Sequence, residues 1–458
     1  MGYYEKEKIC ISVIMPSLNV AKYMRECLES VLNQKLREIE ILCVDAGSTD
    51  GTLEILEEFA LKDSRIRIIK SEKKSYGYQL NIGISVAKGE YIGIVETDDY
   101  IDVSMYETLY NYALKNQRPD YIKGGYVQFA EVNGRKIFSA FNRSRLKKIF
   151  NDFICLEDDR KKGILDLNHI WSGIYRREFL LREGIKLNET PGASYQDLSF
   201  SLLAGLLADA CIYTEEKYYF YRIDNINSSV KSNSKWRCVI DEFEYVVQEL
   251  IKRKKYFGNL ETLVWMQKPG IYFWNLQRLS EEEGERFRME IQQEVEEFKK
   301  NDEYNHCLDE SQRAALEFLK SQEVLTNYIT AKRELVYKIR YLLQMIGEGK
   351  KFVLVSAGRL AERMIFLQDA LNEKYIEAVA DSNIVCQGQI WNKYVLLSVQ
   401  EAVQKYKEND FIIVNKNASI ELRECLSELG VTENKIYVFD NMLPVDELIM
   451  LVSEKEVS

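Results

Sequence analysis

The first hundred residues confine the chain to one class of fold. Short apolar runs that suit strands alternate with segments whose apolar residues recur at helical spacing. Such alternation builds a parallel sheet with crossover helices. Ile11-Ser12-Val13-Ile14-Met15 is the first run, and it stops at Pro16. Val20, Met24, Cys27, Leu28, Val31 and Leu32 follow in the three- and four-residue steps of an amphipathic helix. Residues 39–44 read as a second strand, ended by Asp45 and a Gly-Ser-Thr-Asp-Gly turn. Leu53, Leu56, Phe59 and Ala60 mark the face of the next helix. Residues 66–69 and 91–95 are the third and fourth strands, with a helix expected over 76–87. In such sheets ligands bind beyond the carboxyl ends of the strands, where the loops gather. Here those loops are Pro16-Ser17-Leu18-Asn19, residues 45–51 and residues 96–99; all are polar, and two carry carboxylates.

The rest of the chain divides by pattern. Residues 120–225 are mixed, with strands at 121–130 and 211–221, and residues 235–345 read as mainly helical. After a break at 347–351 the strand–helix alternation resumes. The expected organisation is an α/β domain over 1–228, a mainly helical region over 229–346 and a smaller α/β domain over 347–458. A chain of 458 residues has room for three domains of about 150 residues each.

Charge and composition exclude several function classes. A net charge of −10 argues against a nucleic-acid partner held by phosphate contacts. It gives no support for broad electrostatic binding to an anionic membrane. Nine cysteines occur singly, with no CxxC spacing, so neither a disulfide framework nor a zinc ribbon is expected. The cysteine usage fits a reducing compartment. No signal peptide and no apolar run of about 18 residues is visible, so work on the cytosolic side is expected.

The end of the fourth strand carries the chemistry. Ile94-Val95-Glu96-Thr97-Asp98-Asp99 places three acids in four residues. Clustered carboxylates repel one another unless something neutralises them. A divalent cation does so, and Mg²⁺ typically takes one or two carboxylates and completes its shell with phosphate oxygens and water. The competing reading is a solvated turn whose aspartates cap a helix.

Three segments in order, ISVIMPSLN, VDAGSTDGT and NIGISVAKGEYIGIVETDD, resemble the family 2 glycosyltransferases with the GT-A fold, over roughly residues 8–225. The fold class expected is therefore α/β: a GT-A nucleotide-sugar-binding domain with a mixed, mainly parallel sheet, a helical middle region and a second, smaller α/β domain. The resemblance implies a nucleotide-sugar donor, Mn²⁺ or Mg²⁺, and inversion at the anomeric carbon. It assigns Pro16, Ser17 and Asn19 to the nucleoside pocket and Asp45 to the base or ribose. It assigns Asp98 and Asp99 to the metal and the donor diphosphate, and Asn81 to the donor side. Glu96 stands where relatives often have Asp, Ala46 where many have a second acid, and Leu80 where many have Arg. Lys73, Lys74 or Arg222 are candidates to supply the missing positive charge.

The family's general base falls about a hundred positions after the acidic turn, in a segment that ends in two acids and precedes an apolar helix. Here Gln196-Asp197 precedes Leu198-Ser199-Phe200. Asp197 matches the base, and a helix-capping role is the alternative. Trp171, in His169-Ile170-Trp171-Ser172-Gly173, is assigned to stacking on an acceptor sugar or, alternatively, to the core. Tyr221-Arg222 followed by Asn227-Ser228-Ser229 resembles the loop that closes over the diphosphate.

In the C-terminal segment Ser356-Ala357-Gly358 follows a strand and opens a helix, with Asp381 ending the next strand. The unit resembles Rossmann-like domains, with only one glycine of GxGxxG retained. A structural or oligomerising role is expected in preference to cofactor binding. The expected function is transfer of a sugar, with a UDP-sugar as the expected donor, to a hydroxyl of a glycan or lipid-linked acceptor in bacterial surface-polysaccharide synthesis. The expected site is the cytoplasm or the inner face of the cell membrane, with peripheral membrane association and homo-oligomer formation through the helical or C-terminal region as accompanying expectations. The alternatives are a binding or scaffolding protein that has lost turnover, and an oxidoreductase centred on 352–440.

Overall fold

The computed structural model describes residues 8–132, 134–140, 150–156, 169–225, 235–255, 259–300, 306, 308–415, 417–443, 445, 447–449 and 451–452. The segment Asn227-Ser228-Ser229 lies outside the described residues. Two compact units account for the chain: residues 1–127 with 141–322, and residues 128–140 with 323–458.

The first unit begins with β1 (Ile11–Ser17), α1 (Ala21–Leu32), β2 (Ile39–Asp45), α2 (Thr52–Ala60), β3 (Ile66–Lys70), α3 (Tyr76–Val86) and β4 (Tyr91–Ile94). It continues with β5 (Tyr100–Ile101), α4 (Met105–Lys115) and β6 (Tyr121–Val132); the end of β6 from Gln128 and its partner β7 (Arg135–Ala140) belong to the second unit. Next come β8 (Ile154–Cys155), β9 (Gly173–Arg176), α5 (Arg177–Arg182), α6 (Gln196–Leu207) and β10 (Ala210–Arg222). The main sheet runs β3-β2-β1-β4-β9-β6-β10-β5. β1 lies parallel to both β2 and β4, with Ser17 opposite Asp45. β9 joins antiparallel to β4 and β6.

β1 and β2 are buried along their whole length, which is why they read as continuous apolar runs and not as alternating ones. α1 buries Met24, Cys27, Leu28 and Val31, the stripe its sequence spacing predicts. The parallel strands end together, so Ser17, Asp45 and the turn after Ile94 share one rim.

The helices α7 (Cys238–Lys252), α8 (Asn259–Arg278), α9 (Glu281–Lys300) and α10 (Glu310–Lys320) cluster with this sheet instead of forming a unit of their own. The cause is apolar: α7 carries a stripe of Val239, Ile240, Phe243, Val246 and Leu250, and packs against α6, whose residues are buried nearly all round.

The second unit holds α11 (Gln322–Gly347), β11 (Phe352–Val355), α12 (Arg359–Leu371), β12 (Ile376–Ala380), β13 (Ile390–Trp391), β14 (Tyr394–Leu397), α13 (Val399–Lys405), β15 (Asp410–Ile413), α14 (Ser419–Glu428) and β16 (Ile436–Val438). Its sheet runs β13-β14-β12-β11-β15-β16 and is parallel except for the β13–β14 hairpin. The order reverses at β11, as in open Rossmann-like sheets. At that reversal Asp381 is spent on the backbone: its oxygens accept from the Ala357 and Asn383 N–H groups at 2.7 and 2.8 Å. No helix among the described residues is long and apolar enough to cross a membrane.

Candidate active site

Three loops meet at the rim of the main sheet, and each is braced by its own side chains. Asp45 is buried, and its carboxylate accepts from the N–H groups of Gly47 and Ser48 at 2.9 Å each. It also accepts from the hydroxyls of Ser17 at 3.0 Å and Ser48 at 2.6 Å. Four donors on one carboxylate make this an Asx-type turn that fixes the 45–51 loop. Asn19 adopts a left-handed φ of 56°, which Asn tolerates better than most residues. From there its Oδ1 accepts from Thr49 N–H at 2.8 Å. Pro16 contributes its carbonyl, which accepts from the buried Thr97 hydroxyl at 2.9 Å and so ties the acidic turn to β1. Gln79 closes the floor by donating to the carbonyls of Ser17 and Val44 at 2.9 and 2.6 Å.

The acidic turn is short of compensation. Burial raises the pKa of all three acids: Glu96 to about 8, Asp98 above its ordinary value, and Asp99 well above it, with the Asp98 charge adding to Asp99. Asp98 Oδ2 accepts from Asn225 at 2.8 Å. Asp99 Oδ1 accepts from Arg222 N–H at 2.7 Å. The Tyr219 hydroxyl lies close enough to ease the charge on Asp99, yet among the described residues no donor completes a hydrogen bond to the buried Asp99 Oδ2. An orphaned buried carboxylate oxygen costs about 1–3 kcal/mol or more unless a cation meets it. Among the described residues no three His, Cys, Asp or Glu side chains form a metal cage. The donor set therefore fits a hard ion held by Asp98 and Asp99 and completed by ligand oxygens.

Arg222 is placed differently from its expected role. Its side chain is 2% exposed and bonds Glu26 at 3.0 Å, Asp224 at 3.4 Å and the Asp98 carbonyl at 2.9 Å, with Tyr23 under the guanidinium. It braces the acidic turn from behind. Lys73 pairs with Glu189 at 2.7 Å. Asn81 is likewise occupied: its amide bonds the Leu187 carbonyl at 2.9 Å and Glu189 at 3.2 Å and accepts from Leu187 N–H at 2.9 Å. The structure thus gives Asn81 a brace on the 187–189 segment in place of a free donor contact. Trp171 is also corrected: it is 5% exposed, with its ring stacked on Tyr219 and Tyr221 at 4.2 and 5.2 Å. That leaves no open face for a sugar. Its effect on the site passes through Tyr219, whose oxygen accepts from Glu96 N–H at 3.0 Å.

Asp197 sits in the first turn of α6, behind Tyr195 with its left-handed φ of 64°. The preceding loop is pinned to α3: Tyr76 N–H bonds the Gly192 carbonyl at 3.0 Å, and Gly192 N–H bonds the Lys74 carbonyl at 2.7 Å. Gln196, in place of the frequent acid, holds the loop through Ser194 N–H at 2.6 Å and Thr190 Oγ1 at 2.8 Å. That frees Asp197, which is partly exposed. Burial pushes its carboxyl up to about 6, against the pull of the Leu198 and Asp197 amides and Lys123. Tyr221 senses the charges of Asp99, Asp98, Asp197 and Glu96 together, and Tyr76, bonded to Glu96, senses Asp197 as well. The acidic turn and Asp197 therefore lie close enough to act on the same side chains. Tyr76, Gln79, Tyr219 and Asn225 escaped the sequence reading because none lies at a fixed spacing from the group it contacts.

The glycosyl transferase family 2 model matches residues 12–180. Glycosyltransferase GlyG of Streptococcus pneumoniae serotype 4 is 34% identical over 223 residues, covering 46% of this chain and 70% of GlyG. The S. pneumoniae glycosyltransferase GlyA is 31% identical over 229 residues, but the match spans only 32% of its length. Among solved structures, S. aureus TarS 1–349 in complex with UDP-GlcNAc is similar at a TM-score of 0.45 and 21% identity, over 69% of this chain and 88% of that one. The family-model match and the relationship to GlyG establish that the chain belongs to glycosyl transferase family 2 and is a glycosyltransferase.

Proposed function

We propose that the enzyme moves a sugar from a nucleotide-diphosphate donor, a UDP-sugar, to a hydroxyl of a glycan or lipid-linked acceptor, with inversion, in surface-polysaccharide synthesis on the cytosolic side. The observation that supports this reading is a buried acidic turn close to Asp197, with an Asp99 oxygen that takes no hydrogen bond among the described residues. A divalent ion, when bound, supplies charge neutralisation for the departing diphosphate. Asp98 and Asp99 hold it. Asp197 accepts the proton of the acceptor hydroxyl as that oxygen attacks the anomeric carbon. One direct displacement inverts the centre. Pro16, Ser17, Asn19 and Asp45 shape the wall against which the nucleoside rests.

A calorimetric screen of nucleotide sugars against the full chain, with Mn²⁺ present, tests the donor. Saturable binding of UDP-sugars in preference to GDP- or dTDP-sugars is the expected result, and preference for another nucleotide overturns the uridine assignment. Binding without turnover, with acceptors supplied, would favour a protein that has lost catalysis.

The C-terminal unit is read as structural or oligomerising, because Asp381 and the Ala357 N–H satisfy each other where a cofactor would need both. Titration of the full chain with NAD should give no saturable signal, and clear saturation overturns this assignment.

A further inference from the structure

Glu242, on α7, is a fully buried acid with no part in the reaction as described. Its Oε1 accepts from Asn188 Nδ2 at 3.1 Å, and its Oε2 is bonded to Ser199 Oγ. Ser199 lies on α6 two residues beyond Asp197, and its hydroxyl also reaches the Gln196 carbonyl at 3.1 Å. A serine hydroxyl has one hydrogen and cannot donate in full to both oxygens. Both contacts become full two-centre hydrogen bonds when Glu242 brings its own proton: Glu242 O–H donates to Ser199 Oγ, and Ser199 O–H donates to the Gln196 carbonyl. The surroundings favour that neutral form, since burial raises the Glu242 carboxyl to about 8 and the Asp197 charge adds to the effect.

The chain of bonds ends on the elements that frame the reaction. Gln196 fixes the loop ahead of Asp197. Asn188 abuts α3 so closely that a Cβ on Gly77 would lie 1.9 Å from its carbonyl oxygen.

We propose that Glu242 is a positioning residue for the base, a neutral carboxylic acid that holds the first turn of α6, and Asp197 with it, against the 187–189 segment and α3. The proposal rests on Asp197 as the base. The ionisable groups that interact with Glu242 are Asp197 on α6 and Cys238 and Tyr245 on α7 itself. Ionisation in alkali removes the O–H donor and sets a second negative charge beside Asp197. Glutamine reproduces the neutral acid, with Nε2–H donating to Ser199 and Oε1 accepting from Asn188.

Hydrogen exchange on the full chain, with intrinsic rates divided out, tests this without any ligand. Glu242→Ala should speed exchange in the peptide 190–199 about tenfold, and Ser199→Ala, which cuts the chain of bonds from its other end, should do the same. Glu242→Gln should stay within about twofold of the wild type near pH 7 and lack the loosening that the wild type shows near pH 9.5. With the donor identified by the screen, Glu242→Ala should lower kcat about tenfold with an unchanged KM for donor, and Glu242→Gln should recover most of the loss. Wild-type protection in both alanine variants, or a glutamine variant that matches alanine, overturns the proposal. If Glu242→Ala does not fold, Ser199→Ala and Glu242→Gln decide it. Full transfer by Asp197→Asn would refute the base instead, and leaves the exchange result standing.

Discussion

Asp197→Asn is expected to reduce transfer about a thousandfold while leaving binding of the nucleotide-sugar donor nearly intact. Asparagine keeps the size of the side chain and its place in the first turn of α6 but cannot take a proton. The Gln196 bonds that shape the loop do not involve Asp197, so the loop should keep its form. The pH profile follows from the same carboxyl. Its pKa is raised to about 6 by burial, and a base works when deprotonated, so wild-type kcat should fall as pH drops through about 6. The linked effect on stability has the opposite direction. A carboxyl whose folded pKa is raised binds protons more tightly in the folded state, so its contribution to stability is lost as pH rises from 3.8 to about 6 and is absent above that. The asparagine variant should therefore melt higher than the wild type near neutral pH, and the gap should close in acid. Transfer at the wild-type rate, or a variant that melts lower than the wild type at neutral pH, would contradict this account.

The sheet was legible because burial on both faces leaves a plain record. β1 and β2 are apolar along almost their whole length and end at polar residues, and α1 shows its buried stripe at helical spacing. The carboxyl-end loops are legible in the sequence because parallel strands put them on one side. The middle helices were visible as helices, but their membership in the first unit was not. That depends on which apolar face meets α6, and α6 is apolar nearly all round, so its sequence names no partner.

The site was legible to the extent that its residues lie close in sequence. Asp98 and Asp99 announce themselves as neighbours, and Asp197 by the apolar helix behind it. The roles of Arg222 and Trp171 were not readable. Each meets partners remote in sequence: Arg222 meets Glu26, 196 positions away, and Trp171 meets Tyr219 and Tyr221. A cation near an acidic turn can face the ligand or brace the turn, and an aromatic ring can offer its face or bury it. Only the packing decides between them, and here both residues are buried supports.

Asp99→Asn should abolish metal-dependent donor turnover, with a loss of about a hundredfold or more. In Asp99 the feature that matters is Oδ2, which has no hydrogen-bond partner among the described residues. In the wild type this oxygen is buried beside Asp98 and takes no hydrogen bond among the described residues, a cost that a cation relieves. Adding Mn²⁺ with UDP should raise the melting temperature of the wild type, and excess EDTA should reverse the gain along with activity. In Asp99→Asn the charge is gone. The protein should melt higher than the wild type in EDTA, because a desolvated anion has been removed, but should gain little from Mn²⁺ and UDP. Oδ1 should still accept from Arg222 N–H, so the turn itself should persist. The two halves of the result belong together. A variant that loses activity but is no more stable than the wild type in EDTA would mean that Asp99 shapes the turn and does not hold the ion. Undiminished wild-type turnover in EDTA would remove the metal from the mechanism altogether, leaving Arg222, which bonds the Asp98 carbonyl, as a cation beside the turn.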